Sequence, residues 1–137
     1  MIGGSRLEQL NLPLVLVHQG QQTLALESRW VLGCHAFRSS QTAIRIVEAA
    51  HLWSQPSTAA QSRQQLMALK TSTGAWYLRF CGEVEFIELP ARQLYALPDL
   101  MQARKTWPAV KALVEYQGEL LVLLDALLLE QQALAVG

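Results

Sequence analysis

The sequence is poor in sulfur: two cysteines, Cys34 and Cys81, stand in 137 residues. Two thiols so far apart form neither a disulfide framework nor a zinc-ligand pattern, and they read as reduced core thiols of a cytoplasmic protein. Charge of one sign is also lacking, since Lys plus Arg number 11 and Asp plus Glu number 11. Nucleic-acid binding draws on a local excess of cations. Here the cations are scattered, with Arg104-Lys105 the one adjacent pair, so nucleic acid is not expected as a partner. Long apolar runs are missing too. The longest, Leu120 to Leu124, stops at Asp125, well short of the roughly 20 residues a membrane-spanning helix needs. Met1 to Arg6 carries no charged region followed by an apolar stretch, so a soluble, cytoplasmic protein is expected. Finally, there is no G-x-G-x-x-G, no Walker sequence, no G-x-S-x-G and no H-E-x-x-H, so no motif announces phosphate, acyl-transfer or metalloprotease chemistry.

What is present is apolar material in short pieces. Hydrophobic residues make up 51% of the chain, enough for a core that needs no disulfide or metal. Leu12 to Val17 and Thr23 to Leu26 flank Gln19-Gly20-Gln21 and read as a hairpin. Trp30 to Leu32 reads as a strand ending near Gly33, and Thr42 to Val47 as a half-buried strand with Ile44 and Ile46 on one face. A short helix is expected over Glu48 to Trp53, and a loop over Ser54 to Ser62. Gln64 to Lys70, Trp76 to Phe80 and Val84 to Leu89 follow as three strands of an antiparallel meander, because their short links cannot cross over between parallel strands. Pro90 and Pro98 bracket a connecting segment. Val110 to Tyr116, the turn Gln117-Gly118 and Glu119 to Leu124 form the clearest hairpin. Leu127 to Leu134 reads as a terminal helix with Leu127, Leu128, Leu129 and Leu134 on its apolar side. Many short strands with close turns favour a small barrel or pair of barrels. An α+β sandwich fits if Gln61 to Leu69 and Asp99 to Arg104 are helices.

Few residues invite chemistry. His18, His35 and His51 make no ligand-spaced pattern, and read as surface or hydrogen-bonded core histidines. Cys34 and His35 are adjacent, but neighbours on a strand point to opposite faces and cannot share a proton there. Glu83 and Glu85 would share one face of a strand, as an acid–base or cation site or simply as a solvated outer face. Trp30 and Trp76 lie in apolar runs and fit a core, whereas Trp53 and Trp107 sit beside loop signals and fit an interface.

The second half carries a recognisable pattern. Val110-Lys111-Ala112-Leu113-Val114, the turn Gln117-Gly118-Glu119, the strand Leu120-Leu121-Val122-Leu123-Leu124-Asp125 and the run Leu127-Leu128-Leu129 resemble the C-terminal half of CheW-like domains, the coupling domains of bacterial chemosensory arrays. Trp76 to Phe80, Val84 to Leu89 and Leu97-Pro98 resemble the segments before it. Leu14 to Val17, Gly20 and Leu24 to Leu26 are similar to the family's opening hairpin, and Ala43 to Glu48 to its strand ending in an acid. The family's Asn-Leu-Arg-Gly motif reads Ala36-Phe37-Arg38-Ser39 here, and two further departures stand out: the stretch between Leu26 and Gly33 is shorter than the family's, which holds another strand, and the family's Val-Asp before the Gly82 region is replaced by Phe80-Cys81.

The resemblance implies a mainly β fold of two packed SH3-like β-barrel subdomains with short helices, including a C-terminal one. It implies one domain over residues 12–134, with a shortened first barrel and strands that can be exchanged between barrels, a flexible stretch at 1–11 and a tail at 135–137. It implies a non-catalytic adaptor without cofactor or metal, binding a histidine kinase regulatory domain, a chemoreceptor or both, with a homodimer as a further possibility. Arg38, Ile44, Lys111 and Leu113 are the protein-binding residues carried over from it. The rival readings are a small enzyme using Cys34 or the Glu83–Glu85 pair, and a homo-oligomeric structural subunit that buries Trp107 or the leucine-rich C-terminus.

Overall fold

The computed structural model describes residues 10–19, 22–37, 46–48, 64–71, 74–104 and 108–136. Ten strands and two α-helices are placed there. One sheet has the order β7-β1-β2-β10-β9-β8, built from β1 (Asn11–Gln19), β2 (Gln22–Glu27), β7 (Glu83–Pro90), β8 (Leu94–Ala96), β9 (Val110–Tyr116) and β10 (Glu119–Leu124). The other has the order β3-β5-β6-β4, built from β3 (Val31–Ala36), β4 (Ile46–Glu48), β5 (Gln64–Lys70) and β6 (Ala75–Cys81).

Topology forces the six-stranded sheet to curl. Flat, its outer strands β7 and β8 would lie about 24 Å apart, five spacings of ~4.8 Å. Yet only the 3-10 turn Ala91–Gln93 joins them, and the four steps from Pro90 to Leu94 span at most ~14 Å. The sheet therefore closes on itself as a small barrel. One row of paired residues runs Glu85, Leu16, Ala25, Leu123, Ala112, Ala96. It starts on β7 and ends on β8, further along the same bent run of chain, which is the stagger that closure demands.

Each barrel strand supplies two cores. On β1, Leu14 and Leu16 fill the barrel interior with Ala25, Leu89, Ala112, Val114, Leu121 and Leu123. Val15 and Val17 point the other way, into a core shared with the second sheet. Met67, Leu69, Trp76, Leu78 and Phe80 meet them there, along with Leu129 and Ala133 from the C-terminal helix. Strands buried on both faces need unbroken apolar sequence, which is why Leu14 to Val17 and Leu24 to Leu26 do not alternate. On β9 a bulge opposite Leu124 adds Lys111 and turns Val110 into the shared core, although Ala112 and Val114 face the interior.

Most of the expected strands stand. The β1–β2 hairpin pairs Gln19 with Gln22, and β9–β10 turns through Gln117 (φ 53°) and Gly118 (φ 79°), the two positive angles a tight two-residue hairpin takes. Gln64–Lys70 is strand and Asp99–Arg104 is helix (α1), so the α+β alternative fails at its first half.

Four expectations are corrected. Trp30 ends a 3-10 turn, Ser28–Trp30, and the strand after it begins at Val31 and runs through Gly33. Glu48 closes β4 and does not open a helix; the rest of the expected helix, 49–53, lies outside the described residues, as does the loop at 54–62. The meander breaks after β6, because β7 leaves its neighbour and pairs with β1 in the barrel. Gly82 makes that handover. Its φ is +137°, and a Cβ there would fall 1.8 Å from the His18 carbonyl oxygen, so only glycine lets the chain cross. The terminal helix α2 (Ala126–Val136) starts on Asp125, whose Oδ1 accepts from the Leu127 and Leu128 N–H groups at 2.9 and 3.2 Å. It buries Ala126, Leu129 and Ala133, leaving Leu127, Leu128 and Leu134 exposed. Leucines almost all round the helix hide its buried side from a sequence reading.

Candidate protein-binding surface

Two of the four binding residues taken from the resemblance, Lys111 and Leu113, lie on β9; Arg38 and Ile44 fall outside the described residues. Leu113 sits between Tyr95 of β8 and Val122 of β10 on the face turned away from the barrel interior. One step along, Glu115 is paired with Leu120, which is 63% exposed. The Tyr95 hydroxyl donates to Glu115 Oε1 at 3.2 Å, and that bond raises the Tyr95 pKa. The result is a strip of Tyr95, Leu113, Leu120 and Val122 that also carries Glu115. A shallow open groove lined by Gln22, Thr23, Leu120 and Val122 borders it.

Lys111 does something different from Leu113. Its Nζ bonds to Glu27, whose side chain is 14% exposed and also accepts from Arg29 Nε at 2.7 Å. The bulge aims this lysine at β2, so its charge neutralises a nearly buried carboxylate.

At the other end of the barrel a polar cluster caps the interior. His18 Nε2 lies 3.0 Å from Glu85 Oε1, and His18 Nδ1 lies 3.0 Å from Thr23 Oγ1. The Tyr116 hydroxyl donates to Glu85 Oε2 at 2.8 Å. Four strands are thus tied at one point. The Tyr116 bond and then the His18 bond lower the Glu85 pKa, and the same carboxylate raises that of Tyr116.

This geometry bears on the enzyme reading. Glu85 is held ionised by two donors, while Glu83 is exposed at the end of β7. Cys34 packs on the shared core, donates to Gln65 Oε1 at 3.6 Å and has its pKa raised by burial, the reverse of an activated thiolate. His35 follows it on the exposed side of β3. Among the described residues no three His, Cys, Asp or Glu side chains group as a metal site. No described helix is long and apolar enough to cross a membrane. Trp76 lies in the shared core and Trp30 is half-buried beneath Arg29, whereas Trp53, Trp107 and His51 fall outside the described residues.

Sequence reasoning missed the His18–Glu85–Tyr116 cluster and a second one on β6. There Arg79 bonds Glu48 Oε1 at 3.1 Å and Gln64 Oε1 at 2.6 Å, and lies 4.1 Å from the centre of the Phe37 ring. His18 and Glu85 are 67 residues apart, and no local signal joins them; only the pairing of β1 with β7 does.

No protein-family model matches the chain, and no curated protein matches its sequence. Among solved structures it is similar to the scaffolding protein TtCheW from Thermoanaerobacter tengcongensis, with a TM-score of 0.65 at 9% identity, over 84% of this chain and 89% of that one. The fold is CheW-like. The likeness spans both sheets' worth of chain, so the CheW-like arrangement describes the molecule and not one subdomain of it. At this identity it is a statement about architecture, and a CheW-like fold by itself assigns no partner.

Proposed function

We propose that this chain is a non-catalytic adaptor of bacterial chemosensory signalling, working in the cytoplasm and binding a histidine kinase regulatory domain, a chemoreceptor or both. The observation that carries the reading is the fold it shares, over most of its length, with a scaffolding protein. The strip around Leu113 supports it. Exposed apolar side chains beside half-buried ones, with a polar edge, are the make-up of a protein interface. Arg38, Ile44, Lys111 and Leu113 are the binding residues of this reading. Leu113 is its best probe, because removing Lys111 also strips Glu27 of a partner.

The test uses the full chain against a purified kinase regulatory domain and, separately, a receptor signalling tip. Binding to either is expected, and Leu113→Asp with Leu120→Asp should weaken it at least about tenfold while leaving the far-ultraviolet spectrum unchanged. Binding of the unmodified chain to neither partner overturns the reading. Exposure of Leu127, Leu128 and Leu134 on α2 favours a second reading, self-association through that helix. Light scattering separates the two, since only the second requires a dimer.

A further inference from the structure

Three pieces of the second sheet converge on one side chain, Arg79 of β6. Its Nε donates to Gln64 Oε1 of β5 at 2.6 Å, and its Nη1 lies 3.1 Å from Glu48 Oε1 of β4. The same guanidinium sits over the Phe37 ring, just past the end of β3. The Phe37 N–H in turn donates to the Gln64 carbonyl oxygen at 3.0 Å. A planar cation suits this post, because donors in its plane can bond an amide and a carboxylate while its flat side lies on a ring. The ionic partners are partly exposed, 30% for Arg79 and 42% for Glu48, so the pair adds little to stability. What it fixes is geometry.

Phe37 and Ile46 bracket residues 38–45, the stretch of sequence that carries Arg38 and Ile44. Arg79 holds the near end through Phe37 and the far end through Glu48, two residues past Ile46. The far end has other anchors: β4 pairs with β6, and Val47 lies in the shared core. At the near end the Phe37 N–H bond is the other contact on the page, so Arg79 matters most there. We propose that Arg79 is a positioning residue for partner binding. By tying both ends of the 38–45 stretch to β6, it sets where Arg38 and Ile44 leave and rejoin the second sheet. This rests on the adaptor reading, in which those two residues touch the partner, and it adds to that reading a residue that does not.

The experiment compares the full unmodified chain with Arg79→Gln and Arg79→Lys in two measurements. The first is brief trypsin digestion, reading cleavage after Arg38 and Arg45 against cleavage after Arg92, which lies in the 3-10 turn between β7 and β8. Arg79→Gln should raise cleavage after Arg38 at least about fivefold over that internal standard, and cleavage after Arg45 less. Arg79→Lys keeps a cation for Glu48 but loses the flat side over Phe37, so it should raise the Arg38 cut alone. The second is binding to the kinase regulatory domain and to the receptor signalling tip. Arg79→Gln should weaken it about tenfold, with the thermal midpoint nearly unchanged. Equal rises after Arg38, Arg45 and Arg92 would show that Arg79 merely stabilises the fold, and unweakened binding by Arg79→Gln would show that its grip does not matter to the partner. Either result overturns the proposal. Binding of the unmodified chain to neither partner is a separate failure, that of the adaptor reading itself, and takes the proposal with it.

Discussion

The two sheets of this protein solve different burial problems. In the barrel, β1 and β2 are covered on both faces, one by the barrel's own interior and one by the second sheet. Their sequences are unbroken apolar runs, and small residues such as Ala25 and Ala112 leave room where the curled strands crowd. In the second sheet, β6 alternates instead: Trp76, Leu78 and Phe80 are buried, while Tyr77 and Arg79 are half-buried. The barrel thus has a private core, and the second sheet depends on a core it shares. The barrel should therefore be the more autonomous half, and the second sheet should not outlast it.

The strongest way to break this comparison is at the one residue where the chain passes directly from one sheet to the other. Gly82→Ala places a Cβ against the His18 carbonyl at a φ that L residues resist. We expect a loss on the order of 4 kcal/mol, read by urea denaturation, with both sheets melting together. Next in size are paired truncations. Leu16→Ala opens the barrel interior and Leu78→Ala opens the shared core; both side chains are fully buried, and each change should cost about 3 kcal/mol. Native-state hydrogen exchange distinguishes them. Leu16→Ala should lower protection in both sheets, because β1 also delivers Val15 and Val17 to the shared core. Protection of β5 and β6 left intact by Leu16→Ala would mean the sheets unfold separately, and the dependence argued above would be wrong.

The same contrast explains what could be read from sequence. Strands announced themselves where apolar residues cluster between turn residues, and both tight hairpins fell where Gly20 and Gly118 suggested. Sheet membership was hidden. Nothing local in Val84 to Leu89 says that it pairs with β1, 67 residues away at His18 and Glu85, and not with the strand before it. The positive φ and close approach at Gly82 are facts of tertiary structure, although the glycine itself was visible. β8 escaped notice because three exposed residues, Leu94–Ala96, bury no face that could leave a pattern. On β9, the strand placing Lys111 and Leu113 was legible, but the pairing of Lys111 with Glu27 needed the bulge, and a bulge leaves no mark in apolar periodicity.

The smallest expected effect concerns the polar mouth, and it separates a cap that matters from an ornamental one. Glu85 has a lowered pKa in the folded chain because Tyr116 and His18 bond its charged form. Its contribution to stability is therefore present above the ordinary carboxylate range and lost as pH falls through the folded pKa. Tyr116 has a raised pKa because its hydroxyl donates to that carboxylate. Its contribution is present below the ordinary phenol range and lost as pH rises through the folded pKa. Urea midpoints across pH should give a profile with an acid and an alkaline arm. Glu85→Gln should shrink both, because the acid arm is its own ionisation and the bond to its carboxylate is the largest cause of the Tyr116 shift. Tyr116→Phe should shrink the alkaline arm to the share that the Tyr95–Glu115 bond supplies and keep part of the acid one, since His18 still bonds Glu85. A Glu85→Gln profile parallel to the unmodified chain at every pH would show that the barrel's private core closes its mouth unaided.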